Sequence, residues 1–339
     1  MSKLPGPRVG ITFDLRSTYR DQGYSEEETA EFDSEATIDA LFGALEELGY
    51  AAERIGDVRR LCEELAAGRR WDCVFNFCEG LKGVAREAQA PAILEAYDIP
   101  YVFSDPLTLS LALDKEMAKR VVRDCGIPTA PFVLIEKAPD AALLGLPFPL
   151  FLKPVAEGSG KGIGRRSKVD TQPELENVAA DLLARFGQPV LAEAYLPGRE
   201  FTVGITGTGR DSEILGVMEV LWRENAAPHG YGYDNKEHFE DRVDYRLVDD
   251  GEAREAGKVA LAAWRALRCR DGGRIDIRSD EASQPNFIEV NPLAGLNPER
   301  SDLVFIARFR GLSYRELIGR IMAAFHARHP QIARPASRC

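Results

Sequence analysis

Residues Gly272–Asp302 read GGRIDIRSDEASQPNFIEVNPLAGLNPERSD. The stretch divides into two short apolar strands, Arg274–Ile277 and Phe287–Val290, joined by a polar turn containing Pro285 and Asn286. Alternation places Arg274, Asp276 and Arg278 on one face of the first strand, and Glu289 and Asn291 on one face of the second. If the two faces coincide, Asp276, Glu289 and Asn291 form an all-oxygen cluster with Arg274 beside it. Hard cations such as Mg2+ take ligands of this type, and phosphate oxygens complete their octahedron. In the following loop, Pro292–Asn297, Gly295 lets backbone N–H groups approach an anion. Taken alone, the pattern also fits a sheet-edge hairpin with a solvated acidic face, so the choice rests on what lies upstream.

Arg8–Phe13 (RVGITF) is a strand of the buried type. Asp14–Ser34 is polar and acidic and reads as a solvated loop, although a loop after the first strand of an α/β sheet also faces a ligand in many folds. Glu35–Leu48 has apolar residues at helical spacing, and Gly49 ends it. Ala51–Ile55, a helix over Val58–Ala67, Asp72–Phe77, a helix over Glu87–Tyr97 and Ile99–Phe103 continue a β-α-β alternation. Residues 1–105 are therefore expected to form a Rossmann-like unit with a mostly parallel sheet. A second unit, 106–198, opens with Asp105-Pro106 capping one helix from Leu107 towards Cys125, which Gly126-Ile127-Pro128 stops. Strands over Pro131–Glu136, Leu150–Pro154 and Val190–Glu193 and a helix over Pro173–Phe186 make it a small α+β unit around an antiparallel sheet. The third unit, 199–339, holds strands over Phe201–Thr206 and Ile214–Val220 and a polar loop, Trp222–Arg242. An Ala-rich helix over Glu252–Arg268, the opening hairpin and a last helix from Ser313 towards Arg328 complete it.

A formal net charge of −11 argues against nucleic acid or a membrane surface as partner, because both need a basic field. The six cysteines contain no C-x-x-C pair, so neither a zinc site nor a disulfide framework is expected. No run approaches the ~18 apolar residues of a membrane span, and the first residues lack the apolar core of a secretory signal. A cytoplasmic location is the expectation.

Lys153 lies within an otherwise apolar strand and needs an anionic partner. The glycine-rich loop that follows, Gly158-Ser159-Gly160-Lys161-Gly162, allows successive N–H groups to turn towards one anion. It is not a Walker A loop, since Lys161 precedes glycine rather than Ser or Thr. Lys115, on the first helix of the second unit, reads from composition alone as a solvated helix lysine. Val190–Thr202 fits either an inter-unit hinge or a crossover offering backbone groups to an adenine edge, with Glu200 at a distance suited to ribose hydroxyls.

The segments LDKEMAKR (Leu113–Arg120), FLKPVAEGSGKG (Phe151–Gly162), LAEAYLPGREFT (Leu191–Thr202), RIDIR (Arg274–Arg278) and FIEVNPLAGLNP (Phe287–Pro298) occur in an order that resembles the ATP-grasp superfamily. Within it, the chain looks most like D-alanine–D-alanine ligase and its relatives, from about residue 8 to residue 325. WDCVFNFCEG (Trp71–Gly80), IPYVFSDPLT (Ile99–Thr108) and GIPTAPF (Gly126–Phe132) also fall in family order. The resemblance implies that Lys115 and Lys153 contact ATP phosphates. Ser159 and the Gly158 and Gly160 backbone cover them, and Lys236 reaches them. It implies that Ala194–Leu196 offer backbone groups to adenine with Glu193 nearby, and that Glu200 holds the ribose. Asp276, Glu289 and Asn291 would hold two Mg2+ ions, with Mn2+ an alternative, and Arg274 with the Gly295 N–H would stabilise an oxyanion. A homodimer is implied as well.

Departures concentrate at the amino-acid end. The glycine-rich loop and glutamate that follow the family's first strand are replaced by DLRSTYRDQG, and its His-Gly by Glu79-Gly80. Lys236 is followed by Glu237 instead of tyrosine, and NPLAGLNPERSD stands around the second substrate. Glu79, Arg300 and Ser301 are the candidate substrate contacts. Glu87 and the acidic 26–35 segment could hold an ammonium group, and Arg16 and Arg86 could clamp carboxylates, although each also fits a surface position. The expected activity is a Mg2+- and ATP-dependent ligase joining the carboxylate of an amino-acid-like molecule to an amine through an acyl phosphate. The alternatives are a phosphotransferase on the same scaffold, authentic D-alanine–D-alanine ligation and a non-catalytic nucleotide-binding regulator.

Overall fold

A computed structural model describes residues 6–143, 145–223 and 243–335. The chain opens with β1 (Arg8–Phe13), α1 (Arg16–Asp21), α2 (Glu35–Glu47), β2 (Ala51–Gly56), α3 (Val58–Ala66), β3 (Cys73–Phe77), α4 (Gln89–Ala96) and β4 (Tyr101–Val102). These strands form one parallel sheet in the order β2-β1-β3-β4, as the alternation predicts. Parallel strands covered on their faces need apolar residues on both sides, and every residue of β3 is buried. The acidic 14–34 segment is not the solvated loop the charge pattern suggests. Asp33 N–H donates to the Asp14 carbonyl and Arg16 N–H to the Asp33 carbonyl, which folds the segment back on β1. Its own Ala30 and Phe32 are buried, and the Phe32 ring lies 4.5 Å from that of Tyr19.

Next come α5 (Pro106–Leu113) and α6 (Lys115–Asp124), two helices where the sequence suggests one. Asp114 separates them: its backbone is extended, and its carboxylate accepts the Met117 N–H at 3.0 Å, acting as the N-cap of α6. The break puts Lys115 at the first turn of the new helix, where its N–H donates to the Val155 carbonyl. β5 (Phe132–Ile135), β6 (Leu150–Pro154), β7 (Lys168–Val169), α7 (Gln172–Phe186) and β8 (Val190–Ala194) follow, giving an antiparallel sheet in the order β5-β8-β6-β7. Its apolar face packs on Leu175, Val178, Ala179 and Leu182 of α7.

The remaining elements are β9 (Glu200–Thr206), β10 (Glu213–Trp222), β11 (Val243–Leu247), α8 (Gly251–Ala266), β12 (Gly272–Ser279), β13 (Pro285–Asn291), α9 (Asp302–Phe309) and α10 (Tyr314–Arg328). The strands form a five-stranded antiparallel sheet, β11-β10-β9-β12-β13. Small residues along α8 (Ala253, Ala256, Ala260, Ala263) bring its axis close to one face of that sheet around the buried Trp264. On the other side, α9 and α10 share a core with β1, β3 and α2, so the third sheet is packed against the first. Among the described residues no helix is long and apolar enough to cross a membrane.

Candidate active site

The β12–β13 register pairs Asp276 with Glu289 and Arg274 with Asn291, so all four side chains lie on one face of the hairpin. A register shift between Asp276 and Ile277 lets this face turn while Ile275 and Ile277 stay in the core. Asp276 accepts from Thr202 Oγ1 at 3.0 Å and from the Arg274 guanidinium. Arg274 Nε lies 3.6 Å from Asp302, and Lys115 Nζ lies 3.6 Å from Glu289. Burial lowers the affinity of the Arg274 guanidinium for its proton, but Asp276 and Asp302 outweigh it and raise the pKa. Among the described residues no group of three or more acidic, histidine or cysteine side chains is placed to hold a metal. The Asp276–Glu289–Asn291 set reaches three ligating side chains only by counting the amide, and this composition fits a hard cation that takes its other ligands from phosphate and water.

The strand lysine finds the anionic partner its sequence requires. Lys153 Nζ lies 2.8 Å from Glu193 Oε1, and Lys119 Nζ lies 2.8 Å from Glu193 Oε2. Lys119 also donates to Thr129 Oγ1 at 2.7 Å and to the Phe287 carbonyl at 3.2 Å. Burial pushes the Glu193 carboxyl up, but Lys119 and Lys153 overcome that and hold it at about 2. The Glu193 side chain is therefore placed between two lysines. Lys119 escapes the sequence reading, though a signal is present: it follows Lys115 by one helical turn, flanked by the buried Ala118 and Val122.

Two adjoining cavities meet at Lys115, Glu157 and Glu289, which line both. The larger, about 340 Å³, is walled by Arg16, Glu31, Asp33, Glu79, Glu87, Gly158, Ser159, Arg274, Asn291, Gly295, Arg300 and Ser301. The smaller, about 80 Å³, is walled by Phe151, Lys153, Gly160, Ile163, Glu193, Ala194, Tyr195, Leu196, Glu200, Asp276 and Arg278. Almost every residue singled out in the sequence thus faces one of two neighbouring spaces, while Lys236 lies outside the described residues. The Phe151 and Tyr195 rings stack at 6.5 Å with 26° between planes, forming an apolar flank for the smaller space. The Ala194 and Tyr195 amides already donate to the Pro131 and Pro149 carbonyls, so the backbone donor expected at Ala194 is committed to the sheet. Glu200 lies 3.3 Å from Arg278.

Ser159 holds a left-handed backbone, φ 49°, at the tip of the glycine-rich loop. In the Pro292–Asn297 loop a Cβ at Gly295 would meet Ser301 Oγ at 2.9 Å, and that hydroxyl accepts the Asn297 N–H at 2.8 Å. Ser301 accordingly pins the loop. Glu79 and Glu87 form no ion pair with a described residue. Burial together with the neighbouring Glu87 raises the Glu79 carboxyl well above the ordinary range, and burial, only partly offset by Arg86, pushes Glu87 up to about 7. Arg86, read as a possible carboxylate clamp, is buried and committed to Glu31 at 3.1 Å and to the Ala156 carbonyl at 3.1 Å. Glu31 was visible only as one member of a charge run.

The sequence and the arrangement of sheets are similar to those of known proteins. The sequence profile described as "D-ala D-ala ligase C-terminus" matches residues 121–323. The D-alanine–D-alanine ligase of Bordetella avium is 39% identical over 240 residues, covering 68% of this chain and 71% of the relative. That of Bordetella pertussis is 34% identical over 329 residues, covering 95% and 96%. The crystal structure of D-alanine–D-alanine ligase from Bacillus anthracis complexed with ATP superposes with a TM-score of 0.73 at 21% identity, covering 97% of this chain and 99% of that one. The VanG D-Ala:D-Ser ligase of Enterococcus faecalis gives a TM-score of 0.71 at 19% identity, covering 94% and 99%. The fold is therefore ATP-grasp, and with a hairpin of paired oxygen donors, two adjoining cavities and relatives of this identity over nearly its whole length, the chain belongs to the D-alanine–D-alanine ligase family.

Proposed function

We propose that the protein is an ATP-dependent carboxylate–amine ligase that activates an amino-acid-like carboxylate as an acyl phosphate and joins it to an amine. The observation that carries this reading is the pair of cavities meeting at Lys115, Glu157 and Glu289, one with an apolar flank for a base and one lined by charged groups. A phosphoryl donor in the smaller space and a carboxylate in the larger would meet at that junction. Lys115 and Lys153 supply positive charge there, and loose phosphoryl transfer is catalysed chiefly by positioning and charge neutralisation. Asp276, Glu289 and Asn291 would hold Mg2+, two ions or Mn2+ in its place, and a bound cation would neutralise charge on the transferring group. Arg274, charged and fixed by Asp276 and Asp302, together with the Gly295 N–H, suits the oxyanion of the tetrahedral intermediate formed when the amine attacks. A phosphotransferase needs no such donors, which favours the ligase.

The substrates are proposed to be amino acids other than a pair of D-alanines. Glu79 and Glu87 line the larger cavity along with Arg274 and Arg300, and a carboxyl pair there suits an ammonium group. Authentic D-alanine–D-alanine ligation is the second reading, supported by the names of the 34–39% identical relatives. Division into units 1–105, 106–198 and 199–339, assembly as a homodimer and operation in the cytoplasm belong to the same proposal. The test is phosphate release from Mg·ATP against a panel of L- and D-amino acids, singly and in pairs, with products weighed by mass spectrometry. A condensed product that needs two amino acids supports the ligase. A phosphorylated single acid would replace it with the phosphotransferase.

A further inference from the structure

Lys119, on α6, is fully buried and lines neither cavity. An ammonium group carries three N–H donors and no acceptor. Here the partners are Glu193 Oε2 at 2.8 Å, Thr129 Oγ1 at 2.7 Å and the Phe287 carbonyl at 3.2 Å. The Thr129 hydroxyl proton goes to that same carbonyl at 2.8 Å, so its oxygen is an acceptor towards Lys119. Three acceptors around one nitrogen call for the charged form of the lysine. Lys153, on β6, differs in both respects. It lines the smaller cavity, and among the described residues its one ion pair is with the other Glu193 oxygen, at 2.8 Å. Two of its three donors are left for a ligand. Two ammonium groups against one carboxylate leave this triad with a net charge of +1, whereas Glu193 and Lys153 alone would be neutral. Asp276 and Glu289 also act on Lys153, but each has a cation of its own, Arg274 and Lys115.

We propose that Lys119 is a positioning residue of the nucleotide site: it neutralises Glu193 from behind, so that Lys153 keeps both a fixed direction and a net positive charge for the phosphates. The inference rests on the nucleotide site of the ligase reading above, not on the identity of the amino acids. A lysine buried with one carboxylate is well aimed but presents no net charge. A lysine buried with none is charged but unaimed, and desolvation draws its proton away. Two lysines on one carboxylate avoid both faults. The charge lies where water is scarce, and a fixed charge counts for more there than in solution. Lys119 also ties Glu193 on β8 to Phe287 on β13, and residues of both strands wall the smaller cavity. The second and third sheets therefore hold the triad jointly.

Calorimetric titration of the full-length protein with magnesium tripolyphosphate, and separately with adenosine, reads the phosphate and base ends apart. Lys119→Met should weaken tripolyphosphate binding by roughly tenfold or more and leave adenosine within about twofold of wild type. Glu193→Gln raises the net charge and should bind tripolyphosphate at least as tightly as wild type does. The double variant Lys119→Met/Glu193→Gln returns the site to a single positive charge on Lys153, and its affinity should recover to within roughly threefold of wild type. Tripolyphosphate binding within about twofold of wild type in Lys119→Met, or parallel losses for tripolyphosphate and adenosine, would show a merely structural lysine and overturn the proposal. So would a double variant as weak as Lys119→Met. If Lys119→Met does not fold, Glu193→Gln decides, because weaker tripolyphosphate binding there contradicts the charge argument. A wild type that binds both probes but joins no amino acids sinks the ligase reading and leaves this test standing. A wild type that binds neither probe overturns the nucleotide site, and the role of Lys119 with it.

Discussion

Glu193→Gln is the sharpest test of the charge arrangement behind the smaller cavity. The wild-type carboxylate neutralises one of two buried ammonium groups, Lys119 and Lys153, each 2.8 Å away. Its proton affinity falls from the ordinary 4.5 to about 2 in the fold, a difference that corresponds to about 3 kcal/mol. Breaking a buried ion pair by removing one partner costs about 3–5 kcal/mol by independent experience, so the two routes agree. Burial draws the Lys119 pKa below the ordinary value despite Glu193, and removing the carboxylate charge draws it further the same way, which softens the loss. The sign with pH follows from a lowered folded pKa. Glu193 contributes fully above about pH 4.5, and the contribution disappears as pH falls towards 2. Urea unfolding of both proteins at pH 7 and at pH 4 measures the gap, which should be about 3 kcal/mol at the higher pH and smaller at the lower. Saturating Mg·ATP should narrow it, because Lys153 is freed for phosphate in the variant. A gap below about 1 kcal/mol at pH 7, or one that does not change with pH, would refute the reasoning.

Glu289→Ala removes a partly exposed carboxylate at the junction of the two cavities, so turnover should fall on the order of 10²-fold or more while the unfolding midpoint changes little. Steady-state phosphate release beside a thermal melt checks both. Glu87→Gln removes a carboxyl that the fold prefers neutral, its pKa pushed up to about 7. The penalty of ionising it appears as pH rises from about 4.5 to about 7. The variant should therefore be more stable than wild type above pH 7, by up to about 3 kcal/mol, and equal to it below pH 4.5. Melting temperatures across that range read the difference.

The fold and the donor face were legible because they rest on short periodicities. Alternation along β12 and β13 fixes which side chains share a face, and the register then sets Asp276 opposite Glu289. The parallel first sheet follows from its β-α-β alternation. What escaped was decided by distant partners. Leu107–Cys125 has a continuous helical pattern, and only the capping carboxylate of Asp114 and the Val155 carbonyl break it at the position that delivers Lys115 to the site. Glu31 looks like any residue of an acidic run, because the Arg86, Lys161 and Gly158 that bury it lie 55 to 130 positions away. Lys119 likewise has the look of a solvated helix lysine until β8 brings Glu193 against it. Charge runs are read as solvated when their counter-charges are remote in sequence, and Glu31 and Lys119 are both held by such remote partners.

The central claim is that a carboxylate is activated by phosphorylation before an amine displaces the phosphate. Transfer of label tests it most directly, with a carboxylate substrate carrying 18O in both oxygens, Mg·ATP and the amine partner found by the amino-acid panel. The account predicts that each phosphate released carries one 18O, donated by the carboxylate when it attacked the γ-phosphorus. Phosphate without label, formed at the same rate as the amide, would contradict an acyl phosphate and with it the proposed function.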